Sequence, residues 1–166
     1  MKVLPGLIAL LGSLVPCTFA STVTDGGRAY TPAKGNPERQ AIMDAAREVY
    51  LKGYKPAERA KLGLVLCEVS HLKVHGDWAL TCVQPVKPDG SKAFEFQWLL
   101  FQRKKQKWVN ADYFDQIIKH YPHDDDGLDA LDLTDSAIRF TWQEFPSTPH
   151  DIFPPLGSRG RFFSTH

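Results

Sequence analysis

The segment LVLCEVSHLKVHGDWALTCVQPV, residues 64–86, sets two runs of β-branched and aliphatic residues on either side of His75-Gly76-Asp77. Gly beside Asp between two such runs is a hairpin signal, because glycine tolerates the positive φ that a tight loop demands. The first strand is expected over 64–72 and the second over 78–86. On the twofold strand period Trp78, Leu80 and Cys82 share one face, while Ala79, Thr81 and Val83 share the other.

Downstream, Pro88-Asp89-Gly90 is a turn, and a third strand follows over 94–102 with Phe94, Phe96, Trp98 and Leu100 on one side. The basic turn 103–107 leads into a fourth strand from Trp108 to about Asp112. Upstream, Asn36 is a good N-cap, Pro37 suits the first helical position and Glu38 suits the helix dipole. Ile42, Ala45, Ala46 and Val49 then recur at helical spacing, and Gly53 with Pro56 ends the run. One helix and a four-stranded antiparallel meander make an α+β fold, with the aromatic side of a curved sheet expected over the helix and the other side expected in water.

Residues 21–35 carry Gly26, Gly27, Pro32 and Gly35 without an apolar period and read as a flexible lead-in. Phe114, Ile117 and Ile118 suggest a short helix ended by Pro122, and an acidic stretch runs over 123–135. A second short helix follows, capped by Asp135, with Ile138, Trp142 and Phe145 on one face. This places a single α+β domain at 36–145 and an irregular tail at 146–166, whose Ile152 and Phe153 are expected to pin it to the body.

The chain starts with Met1 and Lys2, and residues 3–15 form an apolar run too short to span a bilayer. Small residues before Ser21 place a signal-peptidase cut after Ala20, so residues 1–20 read as a signal peptide and the product as periplasmic or secreted. About 146 of the 166 residues then remain, enough for one domain. Twenty Lys and Arg face nineteen Asp and Glu, and removal of Lys2 evens the balance. Without a basic surplus there is no electrostatic drive toward nucleic acid or an anionic membrane surface. No later segment is apolar enough for stable membrane insertion.

Cys67 and Cys82 lie beyond the cut, and an even pair in an oxidising compartment reads as a disulfide, worth about 3 kcal/mol in the chain-entropy account. Two buried thiols are the competing reading, and strand register arbitrates. With His75-Gly76 as a two-residue turn, Cys82 faces Val69 and lies diagonal to Cys67, so a bond requires a bulge or a longer loop.

The run Asn36 to Arg47, NPERQAIMDAAR, together with Gly76-Asp77-Trp78-Ala79 and the later Trp108, resembles a group of small exported bacterial proteins of uncharacterised function. These share an N-P-x-R-x-x-I-x-D-A-x-R helix and a G-D-W-A turn. The resemblance implies export and a small α+β domain; it implies no reaction. The layout is also similar to the cystatin-like and nuclear-transport-factor-like folds, which host enzymes, carriers and interaction modules alike.

Few residues suggest chemistry. Trp78 starts a strand and is read either as core cover or as a wall for stacking a ligand. His71, Glu68, Glu95 and Asp112 are polar residues on expected strands; under a curled sheet His71 and Glu95 or Asp112 would form a candidate acid-base pair. His120 and His123 beside Asp124, Asp125 and Asp126 do not make a metal site, since Pro122 breaks the helix that would align them and Leu133 stands where a calcium loop needs an acid. No cofactor motif and no G-x-S-x-G nucleophile occurs. The expected function is that of an exported binding or interaction protein without catalytic activity, whose partner is an unknown protein or small ligand. The alternative is a pocket-bearing enzyme or small-ligand carrier using His71 with Glu95 or Asp112.

Overall fold

Asn36 caps the first helix, α1 (Pro37–Leu51), its Oδ1 accepting a hydrogen bond from the Glu38 amide at 2.8 Å. Pro37 occupies the first helical position, where its missing N–H is not needed, and Gly53 leaves the helix at φ +90°. The computed structural model describes residues 27–63, 65–111 and 133–158. Among them a second helix, α2 (Pro56–Leu62), follows at once. Pro56, expected to help end α1, instead opens α2, and the Lys55 amide donates to the Glu58 carboxylate at 2.7 Å. α2 buries no side chain, so no apolar period marks it in the sequence.

The expected meander is present. β1 (Leu66–His75), β2 (Trp78–Val86), β3 (Gln97–Lys104) and β4 (Lys107–Asn110) form one antiparallel sheet in the order β1-β2-β3-β4. His75 pairs with Trp78, so the loop between β1 and β2 is Gly76-Asp77, with Gly76 at φ +58°. Pairing runs without a break from His75 to His71 and then shifts between Val69 and His71, leaving Ser70 as a bulge.

Both faces of the central strands β2 and β3 are dry, which corrects the expectation of one wet side. Leu72, Val74, Ala79, Val83, Leu99 and Phe101 pack against Ile42, Met43, Ala46 and Tyr50 of α1. On the opposite face Trp78, Leu80, Cys82, Trp98 and Leu100 meet Ile138 of a third helix, α3 (Asp135–Glu144), together with Ile152 and Phe153. The tryptophan row therefore lies under α3 and the C-terminal strap, not over α1. Phe94 also departs from its expected row. β3 begins only at Gln97, the Ala93 amide bonds the Pro85 carbonyl at 2.9 Å, and the Phe94 ring turns to the α1 side to stack on Tyr50 at 5.6 Å.

The bulge also decides the cysteines, and the expected disulfide is absent. Cys67 stands opposite Pro85, and Cys82 stands opposite His71 on the other side of Ser70. The extra residue shifts the alternation of β1, so Cys67 and Val69 join the α1 layer while Cys82 lies in the tryptophan layer. Side chains that leave a sheet on opposite faces cannot be bridged without backbone movement.

Thr134, not Asp135, caps α3, its hydroxyl accepting from the Ala137 amide at 3.1 Å. The Asp135 carboxylate instead accepts from the Gly157 amide at 3.0 Å, which ties the strap back onto the helix. A single 3-10 turn, His150–Ile152, then seats Ile152 and Phe153 in the core, as expected for that tail. Part of the expected lead-in is docked as well: Tyr30 exchanges backbone hydrogen bonds with Val74 at 2.8 and 2.9 Å. The expected helix at Phe114, Ile117 and Ile118, the acidic stretch as far as 132, and the signal segment lie outside the described residues.

Candidate functional site

The C-terminal half of β1 alternates Leu72 and Val74 into the α1 layer with His71 and His75 toward the strap. His71 Nε2 donates to the Ile152 carbonyl at 2.9 Å, and its ring lies 5.2 Å from that of Trp98. Burial pulls the His71 pKa below its ordinary value; the Ile152 carbonyl opposes this and the nearby Lys73 ammonium adds to it. A turn further along, His75 Nδ1 meets the Asp151 carboxylate at 2.8 Å, and that carboxylate also accepts from the Ala29 amide at 2.7 Å. Burial raises the Asp151 pKa, but the His75 and Ala29 hydrogen bonds outweigh it and leave the net shift downward. His71 and His75 thus hold the strap to β1.

The acid-base pair read from the sequence is not assembled. His71 and Trp98 both have Cys82 as their cross-strand partner and so lie in one row across the sheet. Glu95 precedes β3 altogether and is exposed. Glu68 is exposed opposite Gln84, and Asp112 lies outside the described residues. Trp78 is 6% exposed and meets the Phe145 ring edge-on at 5.9 Å, so it is core cover and not a stacking wall. Among the described residues no group of three or more His, Cys, Asp or Glu could hold a metal ion, and no helix is long and apolar enough to cross a membrane.

Two arrangements escape the sequence. The first links α1 to the sheet: the Tyr30 hydroxyl and the Arg103 guanidinium both donate to the Glu38 carboxylate, and the Arg103 guanidinium lies 4.4 Å from the centre of the Trp108 ring. Burial, then the hydrogen bond to Glu38 and its charge, push the Tyr30 pKa up to about 12 against a smaller pull from Arg103.

The second is an open groove of about 290 Å³ along the outer edge of β1, between Thr31 and Arg39 on one side and residues 69–73 on the other. Thr31 Oγ1 donates to the Leu72 carbonyl at 2.9 Å, and Arg39 Nη1 donates to the Pro32 carbonyl at 3.2 Å. Arg39 and Lys73 line this groove, and among the described residues no carboxylate does. Arg39 falls within the helix motif read above, but that it lines one groove with Lys73 follows from the docking of Tyr30 and Thr31 beside β1. No family model, no curated protein and no solved structure matches this chain.

Proposed function

We propose that this chain is an exported binding or interaction protein that works through the outer edge of β1. The observation that carries this reading is the groove beside that edge, recessed, lined by two cations and formed where the sheet bulges at Ser70. Bulges at sheet edges commonly re-aim side chains or end pairing beside functional surfaces. The space between α1 and the sheet, by contrast, is occupied: Ile42, Val74, Val83 and Phe101 are fully buried there. Export is supported by the short apolar run that precedes Ser21, and kinship with the small exported proteins by the helix and turn motifs. The cystatin-like or nuclear-transport-factor-like comparison rests on α1 crossing an antiparallel meander, with α3 and the strap as an added layer.

The alternative, an enzyme or small-ligand carrier using His71 with Glu95 or Asp112, has in its favour that His71 borders the groove. Against it stand the engagement of His71 by the Ile152 carbonyl and the exposure of Glu95.

A photo-crosslinking residue at Ser70, compared with one at the exposed Gln143 of α3, tests the proposal in the cell that makes the protein. Adducts of defined mass at Ser70 and not at Gln143 are expected. Their absence at Ser70, or equal labelling at both positions, removes the basis for the edge as the working surface.

A further inference from the structure

β1 is an outer strand of the sheet, and among the described residues only its C-terminal half is covered. Tyr30 pairs with Val74 and the Thr31 hydroxyl takes the Leu72 carbonyl, after which the chain turns at Pro32 into α1. Among the described residues nothing continues this pairing along 66–70. A half-covered edge strand is a template for a further strand, since each backbone amide and carbonyl facing outward otherwise relies on water.

We propose that the site takes an extended acidic segment of another protein, which adds a strand along residues 66–70 and sets its carboxylates against Arg39 and Lys73. This rests on the reading of the β1 edge as the working surface and specifies what the edge accepts. Main-chain pairing supplies affinity in strand addition, and side chains at the ends supply specificity. The Tyr30 segment already shows the geometry, because residues 29–31 lie antiparallel beside β1 and an incoming strand fills the length that they leave.

Charge selects the class of partner. At the Ser70 end the groove offers Arg39 and Lys73, with no carboxylate in its lining among the described residues. At the other end Glu68 is exposed on β1 itself, so acidic residues belong at one end of the segment and uncharged strand formers at the other. A second copy of this chain is the poorer occupant. A twofold pairing centred on residues 66–70 sets Glu68 against its own counterpart, and like charges directly opposite destabilise a strand pair. Sliding that pairing toward Lys73 is blocked by Tyr30.

The test uses two synthetic probes, an acetylated peptide that begins with two glutamates and continues as alternating Thr and Val, and its counterpart that begins with two lysines. Each is titrated into the isotope-labelled chain beginning at Ser21, followed by amide NMR shifts and hydrogen exchange. The acidic probe is expected to bind with a Kd below about 1 mM, to shift and protect the amides of 66–70, and to leave Leu100 and Phe101 unmoved. The lysine probe is expected to bind roughly tenfold more weakly, the effect of reversing two exposed charge pairs. In the double variant Arg39→Glu, Lys73→Glu that preference should invert. No shifts up to that concentration, equal binding of both probes, or shifts that map elsewhere would overturn strand addition. The probe comparison needs no variant, so it stands if the double variant does not fold. Ser70 adducts in the cell without probe binding would overturn this inference alone, whereas missing adducts would overturn the edge reading beneath it.

Discussion

Cys67 and Cys82 stand on opposite faces of one hairpin, separated by the bulge at Ser70, so the first belongs to the α1 layer and the second to the tryptophan layer. Burial, with Asp44 adding and Arg47 opposing, holds the Cys67 pKa above its ordinary value, and Cys82 has no exposed surface. The thiolate is the reactive form, so in folded protein produced from Ser21 onward alkylation of Cys67 should be slow, and Cys82 should react only on unfolding. Intact mass should show one adduct and then two, without prior reductant. Labelling that begins only after reduction would mean that the two are bonded.

Glu38 and Arg103 join α1 to β3, and their side chains are 11% and 20% exposed. Glu38→Gln leaves the guanidinium without its charge partner in a partly dry place, and is expected to cost about 1–3 kcal/mol in denaturant unfolding. Tyr30 adds a pH dependence to the same cluster. Its pKa is about 12 in the folded chain against 10.0 as the ordinary value, so the native state holds the proton longer. Stability should be complete below pH 10 and fall as pH rises from there toward 12. Tyr30→Phe should flatten this alkaline limb. Tyr50, whose pKa burial shifts in the same direction, should leave a residual slope.

His71 gives the opposite limb. Burial lowers its pKa from 6.5 in the folded chain, so the unfolded chain takes up the proton first as pH falls. Stability should hold above pH 6.5 and decline below it, and hydrogen exchange at residues 145–158 should rise with that decline. His71→Gln keeps a donor for the Ile152 carbonyl and removes the titration. If it leaves the acid limb unchanged, His71 is not its source.

Ile152 and Ile42 sit on opposite sides of the sheet with no exposed surface. If both layers belong to one cooperative core, Ile152→Ala and Ile42→Ala should each cost about 2–5 kcal/mol. A loss near zero for Ile152 in urea unfolding would show that the strap is an appendage.

Much of this fold is local in origin and is written in short spans. Asn36, Pro37 and the Ile42-Ala46 spacing specify α1, and Gly76-Asp77 between two β-rich runs specifies the hairpin, because caps, turns and periodicity act between neighbours in the chain. Strand alternation likewise separates Trp78, Leu80 and Cys82 from Ala79 and Val83.

Alternation sorts side chains into two sets but does not say what covers either set. That was decided by α3 and Ile152 closing over the tryptophan row some fifty residues downstream, a contact with no local signature. The bulge at Ser70 is equally silent in the sequence, since any residue can be the extra one, yet it reassigns Cys67 and lies in the lining of the groove. The groove beside β1 is of the same kind: Arg39 and Lys73, far apart in the chain, come to line one recess where Tyr30 pairs with Val74, an arrangement that exists in three dimensions alone.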